Sequence, residues 1–156
     1  MFIVFPLGLL ATAVIFDIIY LVTNHACLSV GAYWMLVAGI VGGLVAAPFG
    51  VIDWLAIPHG TRAKSVGGLH GGGNVVVLLL FAVSWYLRGG ADAIPGTMAY
   101  VCSWLGGGLA LWTGWLGREL VDRLGIGVDR GAHVNAPNSL SGRPAQERGA
   151  AVRQEH

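Results

Sequence analysis

Ionisable and amide side chains gather in one stretch of the chain, GVIDWLAIPHGTRAKSVGGLHGGGNVVV, which covers residues 50–77. Groups of these types at this density could act as acid–base catalysts, ligate a metal or haem iron, or form the polar edge of a membrane protein. The candidate polar cluster consists of Asp53, His59, Arg62, Lys64, His70 and Asn74.

The spacing within this cluster does not favour an enzyme. Zinc sites need ligands at short intervals, such as H-x-x-x-H or C-x-x-C, and neither pattern occurs. There is no G-x-S-x-G elbow, Ser65 has no organised base, and no P-loop lysine follows LHGGGN. We therefore expect no catalytic residue and no metal site, and we interpret the glycines around LHGGGN as residues that let the chain turn tightly and pass close to neighbouring segments.

His70 is the candidate haem ligand. A b-type haem held in a four-helix bundle needs two histidines at matched depth on facing helices. Only His70 adjoins a predicted span on the inner side, so His59 or His133 would have to fold back to complete the pair. Haem b is therefore an alternative rather than the main expectation.

The two acidic residues near the apolar runs have different expected roles. We expect Asp53 to be ionised and paired with Arg62, Lys64 or Arg118, as a salt-bridged anchor of the loop. Asp17 lies about four turns into the first apolar run, where a carboxylate is expensive and faces the bundle interior. It could be a proton or ion site, but a hydrogen-bonded clamp to Ser84 or Ser103 is favoured, because one acid does not make a relay.

The elements that must position these side chains are membrane spans. Of the 156 residues, 55% are hydrophobic and 11% are charged, whereas a soluble domain carries about a quarter charged residues. A bilayer core of about 30 Å needs about 20 apolar residues in a helix. The sequence predicts spans at about 2–23, 33–57, 71–88 and 99–120, followed by a polar tail at 121–156. The predicted fold is an all-α, integral membrane four-helix bundle over residues 1–120.

The distribution of basic residues predicts the orientation of this bundle. With four spans, both termini and the 58–73 segment lie on one side, and Arg88 is the one basic residue on the other. The first side carries Arg62, Lys64, Arg118, Arg123, Arg130, Arg143, Arg148 and Arg153. Because basic loops are retained in the cytoplasm, both termini and the tail should be cytoplasmic. A net charge of +1 gives no argument for binding nucleic acid.

Small residues at four-residue spacing predict the helix contacts, since lipid provides no hydrophobic drive for helix association. The second span has Gly39 and Gly43, and the fourth has Gly106, Ala110 and Gly114. One strip could pack the bundle while the other receives a foreign helix. Cys27 and Cys102 both lie toward the outer side, where a disulfide could form between them.

Three strings carry a family resemblance: FPLGLLATAVIFD, GVIDWLAIPHGTRAKSVGGLHGGGNVVVLLLFAVSWYLR and GWLGRELVDRLGIGVDRGAHVNAPNSL. Together they resemble a bacterial family of four-span membrane proteins catalogued as domain of unknown function two-two-three-one. The likeness extends to Leu140, and Arg118 and Glu119 depart from the family pattern by adding charge at the inner interface. The resemblance implies the bacterial inner membrane and an association with Rieske iron–sulfur or cytochrome modules, hence with electron transfer.

These observations favour a non-catalytic accessory subunit of a larger respiratory or photosynthetic membrane complex. Its partners would be the lipid bilayer and other membrane subunits, with residues 118–156 against one of them on the cytoplasmic face. The alternative is a small redox protein that binds haem b through His70. An ion or proton carrier that uses Asp17 is the least favoured function, because no second ionisable residue is expected at its depth.

Overall fold

The computed structural model describes residues 4–129 and 131–145 and consists of four long helices in sequence. Helix α1 is Val4–Thr23, α2 is Ala26–Ala56, α3 is Arg62–Leu87 and α4 is Thr97–Asp122, and a short 3-10 turn covers Ser139–Ser141. The described ranges contain no strand. The predicted all-α fold is confirmed.

The helices form an up-down-up-down bundle of two hairpins, because α1 packs along α2 and α3 packs along α4. Smaller contacts between α2 and α3 and between α1 and α4 join the hairpins. We call the end that holds the last turns of α1 and α3 the Arg88 end. The opposite end, which holds the last turns of α2 and α4, is the Glu119 end.

The bundle has its polar groups inside and its apolar groups outside. The largest fully buried side chains are Arg88, Phe81, Leu36, Thr113, Asp17, Ser84 and Ser103, and five of these seven are polar. Long apolar side chains are exposed along all four helices, for example Val4, Leu44, Leu79 and Leu111. Such a surface would be costly in water and suits a hydrocarbon solvent, so the arrangement is that of a membrane protein.

Three helices, α1, α2 and α3, are long and apolar enough to cross a bilayer. Helix α4 has 26 residues, about 39 Å at 1.5 Å per residue, but its serine, threonine, glycine and tryptophan residues make it less apolar. Its contacts follow α3 from Gly106 beside Phe81 to Gly117 beside His70. A spanning α3 would therefore bring α4 through the membrane with it, and the fourth predicted span stays a prediction.

The segment between the second and third predicted spans is more helical than expected. Helix α3 begins at Arg62, where the side chain of Thr61 caps it by accepting a hydrogen bond from the amide of Lys64. The connection from α2 is therefore confined to residues 57–61. The turn expected at the glycines is wrong, because they lie inside α3, whereas their expected close approach to neighbours is confirmed at Gly67 and Gly73. Helix α2 likewise begins at Ala26, earlier than the predicted span.

Most of the small residues predicted as contact points lie between helices. A Cβ atom at Gly39 would lie 2.7 Å from Leu10 of α1, and one at Gly43 would lie 2.5 Å from Leu78 of α3. At Gly106 of α4 it would lie 3.2 Å from Phe81, and Ala110 packs against the core. Gly114 differs, since a Cβ there would meet no described atom within 4 Å. Four of the five small residues therefore pack within the bundle, while Gly114 lies on the exposed side of α4, and a foreign helix at one of the strips stays a prediction.

Candidate functional site

A buried ion pair occupies the Arg88 end. Arg88 Nη1 donates to Asp17 Oδ1 at 2.9 Å, and Nη2 donates to Oδ2 at 2.5 Å, so the two planar groups meet through two parallel bonds. Both side chains are 1% exposed. The hydroxyl of Ser103 on α4 donates a third hydrogen bond to Asp17 Oδ2 at 3.1 Å. Three helices are thereby joined through one carboxylate.

The local sequence explains why Arg88 can reach Asp17. Helix α3 ends at Leu87 with Arg88 as its C-cap, because Gly89 and Gly90 follow with φ values of 70° and 145°, which favour glycine. A side chain on a helix leans toward the N-terminus of its own helix, so the guanidinium of Arg88 points back into the bundle. A basic group in this position also complements the helix dipole.

Two buried polar atoms next to this pair have no hydrogen-bond partner in the described ranges: Nε of Arg88 and the hydroxyl oxygen of Tyr100. The Arg88 guanidinium lies over the Tyr100 ring, with Cζ 5.8 Å from the ring centroid. The ring therefore stabilises the cation through its π face. Ser84, the other serine suggested for Asp17, donates instead to the carbonyl of Ala99 at 2.7 Å.

His70 lies between α3 and α4 toward the Glu119 end. Its Nδ1 is 2.8 Å from the carbonyl oxygen of Thr113, and Nε2 is 3.1 Å from Nδ2 of Asn74. Because a carbonyl oxygen accepts only, Nδ1 carries the proton, and Nε2 accepts from the Asn74 amide. Both ring nitrogens are thus used within the bundle. The ring also packs on Gly117, where a Cβ would lie 3.0 Å from its Cε1.

Lys64 of α3 and Trp54 of α2 are joined by two hydrogen bonds, one donated by each side chain. Lys64 Nζ donates to the carbonyl of Trp54 at 2.7 Å and lies 4.1 Å from the centroid of its indole ring. In return, Trp54 Nε1 donates to the carbonyl of Lys64 at 3.0 Å. The lysine donates to carbonyls in the last turn of α2, where carbonyl acceptors outnumber backbone N–H donors, so it acts as a cap from a neighbouring helix.

The predicted pairing of Asp53 is wrong within residues 4–129 and 131–145, where this exposed carboxylate makes no ion pair. Its expected partners are used elsewhere: Arg62 pairs with Glu119 at 2.7 Å, and Arg118 pairs with Asp122 at 2.8 Å. The reason is geometric, since the helical start of α3 directs Arg62 toward α4 rather than toward α2.

His59, Cys27 and Cys102 make no side-chain contact with the polar groups around Asp17, His70 or Lys64 among the described hydrogen bonds. His59 is exposed in the connection between α2 and α3. The possible disulfide is not formed, because Cys27 and Cys102 are both free thiols. Cys27 is exposed on α2 and Cys102 is partly buried on α4, and these two helices are not among the extensively packed pairs.

These polar side chains mainly make contacts between helices. In the part of the chain that the structure describes, no three His, Cys, Asp or Glu residues could hold one metal ion. The groups best suited to acid–base chemistry, Asp17 and His70, are both held by partners on other helices. Beside the exposed Arg62–Glu119 pair and the Ser84–Ala99 bond, the described residues contain three further interhelical polar clusters: Asp17–Arg88–Ser103, His70–Asn74–Thr113 and Lys64–Trp54.

Sequence reasoning identified Asp17 and His70 but missed their main partners. At the level of sequence Arg88 bears only on orientation, and no pattern singles out Thr113. Asp17 and Arg88 are 71 residues apart, and Thr113 acts through its backbone carbonyl, which any residue has. The signal that could have found Arg88 is its solitary position as the one basic residue on its side of the predicted bundle.

The comparisons with known proteins agree with this description. Residues 1–130 match a family described as predicted membrane protein, DUF2231. No curated protein and no solved structure matches the chain. Because the match covers most of the chain, including all four helices and the three polar clusters, this protein belongs to the DUF2231 family of predicted membrane proteins.

Proposed function

We propose that this protein is a non-catalytic accessory subunit of a larger membrane complex and that a partner helix lies on the first half of α3. The observation that carries the proposal is the outward position of two glycines, Gly71 and Gly72. Both are exposed within α3, and a Cβ added to either would meet no described atom within 4 Å.

Other glycines of the same segment have a packing reason to be small. A Cβ at Gly67 would lie 2.8 Å from the ring of Trp54, and one at Gly73 would lie 2.5 Å from Thr113. Gly71 and Gly72 have no such neighbour, although a glycine inside a helix costs about 1 kcal/mol relative to alanine. A helix that approaches from outside the bundle would account for them, because small residues let two backbones come close in lipid.

The shape of the exposed α3 face supports the same location. Gly68 and Gly72 stand four residues apart on the exposed side, and Val76 continues the row. This small-xxx-small spacing gives a shallow groove along the helix. The face contains no charged side chain between Gly68 and Leu87, so the partner would be an apolar transmembrane helix.

The polar tail is a second expected contact. Residues 123–129 and 131–145 follow α4 with mostly exposed side chains and the short 3-10 turn, and residues 130 and 146–156 lie outside the described ranges. We propose that residues 118–156 contact a partner on the cytoplasmic face of the bacterial inner membrane. The link to electron transfer rests on the family resemblance alone.

The test is copurification of the native protein with other membrane subunits after gentle detergent extraction. In Gly72→Leu, the added side chain fills the outward groove, so partner recovery should fall at least about tenfold while the bundle stays folded. The matched control is Val83→Leu, which enlarges a side chain further along the exposed face of α3 and should leave recovery unchanged.

A second control separates loss of binding from loss of fold. Gly73→Leu should unfold or loosen the bundle, because its side chain would enter the space of Thr113. If the protein runs as a monomer in native gels and Gly72→Leu changes nothing, the accessory-subunit proposal fails. Deletion of residues 141–156 should weaken the same association without unfolding the helices.

Haem binding through His70 remains the alternative. Its support is the Nδ1–H bond to the Thr113 carbonyl, which is the arrangement that orients a ligating histidine. Iron at Nε2 would have to displace the amide of Asn74. An absorption spectrum of the purified protein decides this point: a Soret band that disappears in His70→Ala would favour the redox function over the accessory one.

A further inference from the structure

The outward face of α4 changes from aromatic to charged toward the Glu119 end. Trp112, Trp115, Glu119 and Arg123 follow one another at intervals of three or four residues, so they share one side of the helix. Both indole rings are exposed, and Arg123 is the C-cap of the helix. Amphipathic indoles lie at the boundary between hydrocarbon and headgroups, so the charged groups one or two turns beyond them are at the depth of lipid phosphates.

Two arginines from different helices approach each other at this depth. Arg62 Nη2 of α3 lies 2.7 Å from Glu119 Oε1, and Arg123 Nε lies 4.0 Å from Glu119 Oε2. Both guanidinium groups therefore lie beside one carboxylate, and their side chains are 64% and 77% exposed. Among the described residues Arg62 donates a single side-chain hydrogen bond, to Glu119, and Arg123 donates none. Most N–H donors of the two groups remain unused.

The charges on this face leave a positive excess. Glu119 neutralises one of the two arginines that approach it, and Arg118 and Asp122 neutralise each other at 2.8 Å. Arg62 also begins α3, whose N-terminus is the positive end of the helix dipole, and Arg123 offsets the negative end of α4. The face therefore attracts an anion rather than a cation.

We propose that Arg62 and Arg123 bind the phosphate of an anionic phospholipid whose acyl chains lie along Trp112 and Trp115. A guanidinium group matches phosphate oxygens through two parallel hydrogen bonds, and basic groups between membrane helices at the headgroup level bind acidic lipids. A lipid fits better than a free phosphate, because the exposed aromatic part of the same face continues directly toward the bilayer. This face of α4 is separate from the exposed glycines of α3 where the partner helix is proposed.

The test uses the full chain, purified in detergent and depleted of lipid. Retention of phosphatidylglycerol is compared by native mass spectrometry with that of phosphatidylcholine of the same acyl chains, at low and at high salt. We expect phosphatidylglycerol to be preferred by at least about fivefold, with a smaller preference at high salt because the attraction is electrostatic. Glycerol 3-phosphate, which has the anionic group without the acyl chains, should not displace the lipid at equal concentration.

Substitutions of the charged residues identify the site. Arg62→Gln and Arg123→Gln should each lower the preference by about three- to fivefold, and the double variant should abolish it. Arg118→Gln is the matched control, because it removes the same charge from an arginine that pairs with Asp122, and it should change the preference by less than about twofold. Glu119→Gln should raise the preference, since its carboxylate competes with phosphate for both guanidinium groups.

Three outcomes overturn the proposal: equal retention of the two lipids, a preference that survives in the double variant, or a loss in Arg118→Gln as large as that in Arg123→Gln. Displacement of the lipid by glycerol 3-phosphate would show that a free phosphate compound, rather than a lipid, is the ligand, and would overturn it as well. Circular dichroism in the same detergent verifies that the helices of each variant are intact.

Discussion

The two ends of the bundle contain the same kinds of charged groups and use them differently. At the Arg88 end, Asp17 and Arg88 are each 1% exposed and are joined by two hydrogen bonds. At the Glu119 end, Arg62 is 64% exposed, and one hydrogen bond joins it to Glu119, which is 14% exposed. An arginine and a carboxylate are involved in both cases, so burial is the variable that differs.

This difference shows why counting charged pairs says little about the stability of a membrane bundle. The charges of an exposed pair are already solvated by water when they are apart, so pairing them contributes little to the free energy of unfolding. A buried pair is expensive to form but more expensive to break, because the remaining charge has no solvent. Substitution of a charged residue should therefore lower the free energy of unfolding strongly at the Arg88 end and only slightly at the Glu119 end.

The largest effect is expected for Asp17→Ala. This change leaves the Arg88 guanidinium buried without its counter-charge, so the free energy of unfolding should fall by about 3–5 kcal/mol. Unfolding of the purified protein in mixed micelles, followed by circular dichroism, measures the loss. The double variant Asp17→Leu/Arg88→Met should recover much of it, because it removes both charges and keeps apolar volume. Equal losses in the single and double variants would show that packing, rather than charge, holds this end.

A smaller effect is expected at His70, which lies inside the bundle toward the Glu119 end. The variant His70→Ala removes the bond to Thr113 and the acceptor for Asn74, which should cost about 1–3 kcal/mol. The same unfolding assay gives the value. Gly117→Ala provides the control, since its methyl group would press on the His70 ring in the native protein but should fit without strain once the ring is gone. If the losses of unfolding free energy for His70→Ala and Gly117→Ala simply add in the double variant, the contact between the two residues is contradicted.

The smallest effect is expected at the Glu119 end. Glu119→Gln removes the charge that faces Arg62 and should change stability by less than about 1 kcal/mol, with the difference vanishing in high salt. Asp53→Asn is the matched control, because this exposed carboxylate makes no ion pair in the described chain, and it should have no effect. A loss at Glu119 as large as that at Asp17 would remove the contrast between the two ends.

The sequence was most informative where apolar length determines structure. Runs of about 20 apolar residues can hardly be anything but helices in lipid, so the all-α fold was predictable. The start of α3 was not, because the polar and glycine-rich residues 62–73 resemble a loop on propensity alone. Packing explains part of the discrepancy, since Gly67 and Gly73 are small where Trp54 and Thr113 need space.

The polar partners were harder to predict because they depend on which helix faces overlap. Asp17 was expected to meet Ser84 or Ser103, and the structure joins it to Ser103 but also to Arg88. Asp53 was assigned a basic partner by proximity in sequence, yet it lies on an exposed face of α2. Side-chain direction, set by helix phase, separates these two outcomes. The cytoplasmic location of the termini stays a prediction from the basic residues.

The separation of Asp17 and Arg88 along the chain also affects the order of events during synthesis and membrane insertion. The ribosome adds Arg88 71 residues after Asp17, so at 5–20 residues per second the carboxylate waits on the order of 4–14 s for its partner. During this interval α1 holds an acidic group that lipid does not solvate. We expect the nascent helix to remain beside the insertion machinery until the third helix arrives. Release of α1 into the bilayer would then be timed by the synthesis of an arginine on another helix.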